Sequence, residues 1–443
     1  MLYDCWRKVA FECRTRIALW DSTHGRCWTF GELAQAAEQG ASEPSRPLCE
    51  PRCSALYSPP QEVKQAQGFI AFPSGLSAEF IIAVLRAWRS QQVVCPLEPG
   101  QTPPKIETDL PAGIVHLKTT SASTGAASLV AFTAPQLMAD AKNIVETMGL
   151  RADWPNLGVI SLAHSYGFSN LVLPMLLHGI PLILAEAPLP ETLKRVASTQ
   201  PAVTLPAVPA LWRAWQDADA LPANICLAIS AGAPLPLALE QSVFAARGIK
   251  IHNFYGSSEC GGIAYDATPQ PRLDASCIGA PMRNVEVVVA EDGCLEVRSN
   301  AVGQTYWPEP TPNLREGVFH TSDLGEISSG RVYLRGRATD LINVAGRKVL
   351  PETIERALAA HPGVRACVAF GVPSADAQRG EMIVACVAGL SGITSEVLKQ
   401  FALERLPAWQ VPREWWLVDS LDANHRGKLP RAEWRSRFLE KKA

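Results

Sequence analysis

The first two thirds of the chain alternate short apolar runs with longer stretches in which apolar residues recur at helical spacing. Residues 68–72 precede a helical stretch at 76–90, and the apolar run at 156–163 leads into another helical stretch. Two further apolar runs, at 223–232 and 248–256, flank a third helical segment. Strands that alternate with helices are typical of parallel sheets covered by helices. The pattern therefore predicts an α/β fold.

Beyond Cys277 the apolar runs become shorter and follow one another without long helices. Runs such as 285–290 and 294–299 favour a smaller, more antiparallel β subdomain. The final part of the chain mixes helical and strand-like segments over about a hundred residues, which is the size of a small α+β domain. We therefore predict an N-terminal domain over 1–336 and a C-terminal domain over 337–443.

The composition is that of a folded globular protein. Of 443 residues, 47% are hydrophobic and 19% are charged, and the formal net charge is −2. Basic residues are scattered and do not interleave with aromatic ones, so we expect no nucleic-acid partner. The first twenty residues carry charges throughout and are unlike a secretory signal, and no apolar run reaches the length of a membrane span.

Twelve cysteines are spread singly along the chain. The closest pair, Cys49 and Cys53, has no matching second pair and no nearby histidine, which argues against a zinc site and against a disulfide framework. Unpaired cysteines are typical of a reducing compartment, so we expect a cytoplasmic protein.

A hydroxyl-rich run, TTSASTGAASLV at 119–130, lies between two apolar stretches. Its hydroxyl groups and its flexible glycine are suited to bind phosphate oxygens. A Ser/Thr-rich hairpin turn has the same composition, and the run lacks the Gly-Lys-Ser/Thr ending of a Walker loop. Taken alone, the run is more simply interpreted as a turn.

A second polar run, HNFYGSSECGG at 252–262, follows an apolar strand and contains one carboxylate, Glu259. A carboxylate beside hydroxyl groups is a natural ligand for Mg²⁺, and Tyr255 is suited to stack on a base. The alternative is a turn with a solvated glutamate.

Three further charged residues stand in polar turns. Asp323 is suited to bind a ribose diol through both carboxylate oxygens, and Arg337 lies where the C-terminal domain is predicted to begin. Lys428 follows a glycine near the C-terminus. Each of these residues, taken singly, would usually be a solvated surface charge.

The order of these motifs is more specific than any one of them. A hydroxyl-rich loop, Tyr-Gly-Ser-Ser-Glu, Thr-Ser-Asp, Gly-Arg-x-x-Asp and a late Gly-Lys together resemble the adenylate-forming superfamily. That superfamily comprises acyl- and aryl-CoA synthetases, the adenylation domains of peptide synthetases, and firefly luciferase. The similarity extends from about Phe69 to the C-terminus. It implies a large N-terminal domain, here with an abbreviated N-terminus, followed by a small mobile C-terminal domain.

The resemblance implies that the hydroxyl-rich loop closes over the β- and γ-phosphates of ATP. The matching residues are Thr120, Ser121, Ser123, Thr124 and Gly125. A magnesium ion is implied at Glu259 and Thr124. The family has glycine, proline and lysine where this chain has Ala122, Ala127 and Ser128, so we expect weaker handling of the departing pyrophosphate.

The resemblance also implies the remaining contacts. Adenine, ribose and the α-phosphate are expected at Gly232, Ala233, Pro234, Asn253, Tyr255, Gly256, Ser258 and Asp323. The catalytic set is expected to be Lys428, Glu259, Arg337 and His164, the last beside the acyl group. Gly346, within 343–349, is expected to line a channel for the pantetheine of coenzyme A.

The implied activity is an acid–thiol ligase that uses ATP, Mg²⁺ and coenzyme A. A small carboxylic acid, which we expect to be hydrophobic or aromatic, is first converted into an acyl-adenylate, with Lys428 as the catalytic lysine of this step. The C-terminal domain then rotates about Thr339, and a pantetheine thiol takes the acyl group.

Three alternatives stay open at the level of sequence. The thiol could belong to a phosphopantetheinylated carrier protein, the chain could bind nucleotide or adenylate without turnover, or a β-hydroxy acid could close on itself. The oligomeric state is not predicted.

Overall fold

The computed structural model describes residues 1–39, 63–65, 68–106, 108–120, 128–374, 380–390, 392–421 and 431–442. The chain divides into two compact units. The first comprises Met1–Val287 with Val297–Phe319, and the second comprises Val288–Glu296 with His320–Ala443. This division does not test the boundary predicted at 336/337, which stays a prediction.

Helices occur in both units. They are α1 Leu2–Glu12, α2 Phe30–Glu38, α3 Ala78–Arg89, α4 Ala134–Met148, α5 Ser165–Gly167, α6 Leu173–His178, α7 Pro190–Ala197, α8 Pro209–Asp217, α9 Leu237–Arg247, α10 Pro351–Ala359, α11 Ser395–Leu403 and α12 Arg431–Lys442. None of the described helices combines the length and the apolar composition that spanning a membrane would require.

The strands before the middle of the chain are β1 Ile17–Asp21, β2 Arg26–Thr29, β3 Val63–Gln65, β4 Gly68–Ala71, β5 Val93–Val94, β6 Ile114–Thr119, β7 Leu129–Thr133, β8 Asn156–Gly158, β9 Leu182–Leu184, β10 Val203–Ala207 and β11 Ile225–Ser230. Those after it are β12 Ile251–Ser257, β13 Gly261–Tyr265, β14 Cys277–Pro281, β15 Val285–Val289, β16 Cys294–Ser299, β17 Thr305–Trp307, β18 Leu314–Arg315, β19 Val318–Ser328, β20 Arg331–Arg337, β21 Ile342–Val344, β22 Arg347–Val349, β23 Val364–Pro373, β24 Glu381–Gly389 and β25 Glu414–Val418.

The larger sheet of the first unit has a parallel centre and antiparallel edges. Its strands follow the order β14-β13-β12-β11-β10-β8-β9-β1-β2. The pairs from β12 to β1 are parallel, whereas β2, β13 and β14 are added antiparallel. Every residue of β9 and β10 is buried, as expected of strands covered by helices on both faces. The predicted α/β class is confirmed.

A second sheet of the first unit follows the order β17-β7-β6-β5-β4-β3. Strands β6 and β7 pair antiparallel, with Thr119 opposite Leu129, so the hydroxyl-rich run connects the two strands of a hairpin. A hairpin turn is the simpler interpretation of this run, and the two strands that flank it do form a hairpin. It does not exclude a phosphate-binding role, because a loop on two rigid strands is well placed to hold a ligand.

The run predicted as a strand at 156–163 is a strand only over Asn156–Gly158. The helix that follows contains a π-helical segment, Phe168–Val172, between α5 and α6. Pro174 has no N–H to donate to the carbonyl oxygen of Asn170, four residues earlier. That oxygen instead accepts a hydrogen bond from Asn156 Nδ2 at 3.3 Å. A proline and a distant amide therefore shape this segment.

The second unit contains a three-stranded sheet, β23-β24-β25, in which the first pair is antiparallel and the second is parallel. Its apolar core includes Ile354 and Leu358 of α10 and Leu398 of α11, packed against strand residues such as Ile383. Two hairpins, β19–β20 and β21–β22, precede this sheet. Helix α12 was not predicted, because its residues are mostly polar.

Candidate active site

Strands β10, β11 and β12 run parallel and therefore end at one edge of the sheet, where ligands bind in open α/β sheets. Ser230 at the end of β11 lies opposite Asn253 of β12. The chain leaves β11 through Gly232, whose φ of +86° favours glycine. A Cβ atom at Gly232 would lie 3.4 Å from Val208 Cγ1, just after β10. The two segments predicted to contact adenine are therefore neighbours.

This edge carries several of the predicted nucleotide contacts. They are Gly232, Ala233 and Pro234 after β11, and Asn253, Tyr255, Gly256, Ser258 and Glu259 within or just after β12. The side chain of Asn253 is buried, whereas Tyr255, Ser258 and Glu259 are half-buried and accessible.

Glu259 lies in the tight turn between β12 and β13. A Cβ atom at Gly256 would lie 2.6 Å from the carbonyl oxygen of Gly261, so only glycine allows these strands to approach so closely. The backbone N–H of Glu259 donates to Ser257 Oγ at 3.2 Å. Its carbonyl oxygen accepts from the N–H of Gly303 at 2.7 Å. The main chain of Glu259 is therefore held from two directions.

The side chain of Glu259 is oriented by Tyr306, whose hydroxyl donates to Oε1 at 2.9 Å. Burial and the neighbouring Glu259 carboxylate raise the pKa of Tyr306, so its hydroxyl keeps its proton at neutral pH. The second oxygen, Oε2, accepts no hydrogen bond from any residue that the structure describes. One held and one available carboxylate oxygen fit a hard cation such as Mg²⁺.

The ends of the hydroxyl-rich loop are joined at Thr120. Its N–H and its Oγ1 both donate to the carbonyl oxygen of Ser128, at 2.9 and 3.0 Å. Strand β7 starts one residue later and pairs with β17, which carries Tyr306. The base of the loop is thereby connected to the Glu259 turn. Four predicted loop residues lie outside the described residues: Ser121, Ser123, Thr124 and Gly125.

His164 stands directly before α5 and pairs with a carboxylate that sequence reasoning missed. Its Nε2 lies 3.1 Å from Glu98 Oε1, and both side chains are about a quarter exposed. The hydroxyl of Ser161 donates to the same carboxylate oxygen. The contact with Glu98 orients the imidazole ring of His164. Neither Glu98 nor Tyr306 belongs to a recognisable local motif, so only tertiary structure reveals them.

In the second unit, Asp323 and Arg337 occupy opposite positions on β19 and β20. Arg337 Nε donates to Asp323 Oδ1 at 2.9 Å, and the N–H of Asp323 donates to Thr321 Oγ1 at 3.0 Å. Asp323, the predicted ribose ligand, and Arg337, a member of the predicted catalytic set, are thus adjacent. The pairing fixes the orientation of both side chains.

Gly346 lies at the turn of the β21–β22 hairpin. Ala345 and Gly346 have φ values of +52° and +80°, as a two-residue hairpin turn requires. The N–H of Gly346 donates to Asn343 Oδ1 at 3.0 Å. Lys428 lies outside the described residues, so its predicted role stays a prediction.

The fold and this set of residues define a nucleotide-dependent enzyme of the adenylate-forming type. The chain matches the family model for AMP-binding enzymes over residues 111–310, and that for the C-terminal domain of AMP-binding enzymes over 353–428. It therefore belongs to the family of AMP-binding enzymes, as the sequence motifs predicted.

Curated relatives include named CoA ligases. A probable 2-succinylbenzoate–CoA ligase of Mycobacterium tuberculosis is 31% identical over 337 residues, which cover 72% of this chain and 83% of the relative. An anthranilate–CoA ligase of Pseudomonas aeruginosa is 29% identical over 350 residues, which cover 73% of this chain and 67% of the relative. These relatives place the chain among the acid–CoA ligases of the family.

Solved structures confirm the fold. ATP-bound MatB from Rhodopseudomonas palustris aligns with a TM-score of 0.83 at 19% identity, and the alignment covers all of both chains. O-succinylbenzoate coenzyme A synthetase from Bacillus subtilis, in complex with AMP, aligns with a TM-score of 0.78 at 19% identity over 96% of this chain and 97% of that one.

Proposed function

We propose that this chain is an ATP-dependent ligase that activates a hydrophobic or aromatic carboxylic acid as an acyl-adenylate and transfers the acyl group to coenzyme A. The observation that carries the proposal is the clustering at one sheet edge. There the predicted adenine contacts lie beside Glu259, whose carboxylate is held by Tyr306. Membership of the family and the names of the relatives support the same activity.

In the first half-reaction, a carboxylate oxygen of the acid attacks the α-phosphorus of ATP. The bond to the bridging oxygen breaks, and pyrophosphate leaves with the electron pair. Such a step depends on positioning and on neutralising charge. We assign the adenine to Asn253 and Tyr255, the ribose to Asp323 and the α-phosphate to Arg337 and Lys428. Bound Mg²⁺, held by Glu259, would offset the charge of the phosphates.

In the second half-reaction, the thiol sulfur of coenzyme A attacks the acyl carbon, the thiol loses its proton, and AMP leaves. We propose that residues 337–443 rotate about Thr339 between the two steps, which withdraws Lys428 and brings Gly346 to the thiol channel. Lys428→Ala should then abolish adenylate formation and spare thioester formation from supplied acyl-adenylate. Equal loss of both steps would contradict a hinge.

The acid is proposed to be hydrophobic or aromatic because Tyr166, in the helix after His164, meets Phe254 of β12 at the same edge. The Tyr166 hydroxyl lies 3.5 Å from the carbonyl oxygen of Ala207, the last residue of β10. Its ring lies 5.9 Å from that of Phe254, between centroids. The relatives named for 2-succinylbenzoate and anthranilate also act on aromatic acids.

A carrier protein is the second candidate acceptor. A relative named fatty acid–[acyl-carrier-protein] ligase ScoC, from Streptomyces coeruleorubidus, is 31% identical over 227 residues, which cover 47% of this chain and 43% of the relative. Both acceptors present the same pantetheine thiol. Transfer to coenzyme A and to a holo carrier protein should be compared with one acid, and a strong preference for the carrier would replace coenzyme A in the proposal.

The decisive experiment is acid-dependent exchange of labelled pyrophosphate into ATP across a panel of fatty and aryl acids. We expect exchange with at least one hydrophobic or aromatic acid and its loss in Glu259→Gln. If no acid supports exchange, the chain binds nucleotide without turnover. A cytoplasmic location is also proposed, supported by free thiols at the cysteines within the described ranges.

A further inference from the structure

Asp140, in the middle of α4, is a buried carboxylate that contacts three different segments. Its side chain is 2% exposed. Oδ1 accepts the N–H of Gly262 at 3.2 Å, and Oδ2 accepts the hydroxyl of Ser169 at 2.5 Å. Lys118 Nζ lies 3.5 Å from Oδ2 and donates to Ser169 Oγ at 3.1 Å. One carboxylate therefore joins two strands and a helix to α4.

Each contacted segment carries a residue of the proposed site within a few positions. Lys118, in β6, precedes Thr120 by two residues, and Gly262 follows Glu259 by three. Ser169 follows His164 by five residues in the next helix. Among the described residues, Asp140 hydrogen-bonds to none that is assigned to the nucleotide. It binds the backbone N–H of Gly262 and the side chains of Lys118 and Ser169, which lie close to those residues in sequence.

The fit around Asp140 is close. Gly261 has a φ of +69°, and a Cβ atom there would lie 2.0 Å from Asp140 Oδ1. The carboxylate thus fills the space that a side chain on the Glu259 hairpin would need. Lys118 Nζ also lies 4.5 Å from the centre of the Phe132 ring, which limits its movement.

A buried ion pair is a poor source of net stability, because desolvation of both charges offsets most of their attraction. The two groups of a buried ion pair must nevertheless be placed accurately, because each charge needs its partner at hydrogen-bonding distance. The Lys118–Asp140 pair is therefore better suited to fixing relative positions than to stabilising the fold.

We propose that Asp140 is a positioning residue that holds the loop base at Thr120 and the Glu259 turn in the geometry required to bind the β- and γ-phosphates and Mg²⁺. This inference rests on the proposed function, since it takes those two segments as the phosphate and metal contacts. It assigns to Asp140 a selective effect on ATP. AMP lacks the β- and γ-phosphates and keeps the adenine contacts at Gly232 and Asn253, which Asp140 does not touch, so it depends less on the Glu259 turn than ATP does.

The test is calorimetric binding of Mg-ATP and of AMP, without acid, to the wild-type chain and to Asp140→Asn. We expect Asp140→Asn to weaken the binding of Mg-ATP at least tenfold and to weaken the binding of AMP by a clearly smaller factor. Glu146→Gln, an exposed carboxylate on the same helix, is the matched control and should alter neither affinity. Equal weakening of both nucleotides, or no change in either, would overturn the proposal.

Asp140→Asn leaves the buried ammonium of Lys118 without a countercharge. If this variant does not fold, the double variant Lys118→Met/Asp140→Asn removes that charge and is judged by the same selective loss of Mg-ATP binding. A wild-type chain that binds neither nucleotide would refute the proposed function. A wild-type chain that binds both, with unselective weakening in the variants, would refute only the role of Asp140.

Discussion

Removing the hydroxyl of Tyr306 should test whether the orientation of Glu259 matters for adenylation. Tyr306→Phe deletes one hydrogen bond, of 2.9 Å, to Glu259 Oε1 and leaves the rest of the turn in place. Hydrogen bonds to charged groups contribute about 1.5–3 kcal/mol. Because both side chains are partly exposed, the lower value applies, and about 1.5 kcal/mol corresponds to roughly a tenfold change.

We therefore expect kcat/KM for pyrophosphate exchange to fall roughly tenfold in Tyr306→Phe, in line with that energy. Thioester formation from supplied acyl-adenylate should stay within about twofold, because pyrophosphate has already left at that stage. The assay is exchange of labelled pyrophosphate with Mg²⁺ varied, followed by single-turnover thioester formation. Raising the Mg²⁺ concentration should restore part of the lost rate.

A matched control is Tyr3→Phe, which removes a buried hydroxyl that has no hydrogen-bond partner within the described residues. It should leave both half-reactions unchanged. If Tyr306→Phe keeps the wild-type exchange rate at limiting Mg²⁺, or slows both half-reactions equally, the role given to Glu259 is refuted.

Three further predictions concern two buried ionisable side chains and the hydroxyl-rich loop. Burial lowers the pKa of His116 well below its usual value, so the folded state holds this ring neutral. The free energy of unfolding should therefore fall as pH drops below about 6.5, by up to about 1.4 kcal/mol per pH unit. Thermal unfolding of His116→Phe should depend less on pH over that range, and an unchanged slope would contradict the prediction. Glu240→Gln should lower the free energy of unfolding by about 3–5 kcal/mol, measured with urea. It removes the negative charge of a fully buried carboxylate that pairs with Lys250 and Arg272. A loss below about 1 kcal/mol would contradict the prediction. Ser128→Lys places a lysine where the family has one in the hydroxyl-rich loop. It should change the rate of pyrophosphate exchange and leave thioester formation from supplied acyl-adenylate unchanged. An effect on thioester formation alone would contradict the assignment of this loop to the departing pyrophosphate.

The hydrophobic pattern predicted the parallel core because β11 and β12 are short apolar runs on either side of a helix, and that signal is local. It overestimated the run at 156–163, because apolar residues after Gly158 lead into a buried helix. The hydrophobic pattern does not distinguish the start of a buried helix from the continuation of a strand. It missed α12, a largely polar helix in which two aromatic residues, Trp434 and Phe438, pack on the sheet.

The sequence by itself determined the family and predicted which residues bind the nucleotide, because ordered motifs such as Tyr-Gly-Ser-Ser-Glu lie on contiguous segments. Only the tertiary structure decided what holds those residues. Tyr306 reaches Glu259 across 47 positions, Glu98 reaches His164 across 66, and Asp140 reaches Gly262 across 122. A carboxylate or hydroxyl in such a role has no sequence signature, because its partner is set by strand pairing and helix packing rather than by its neighbours in the chain.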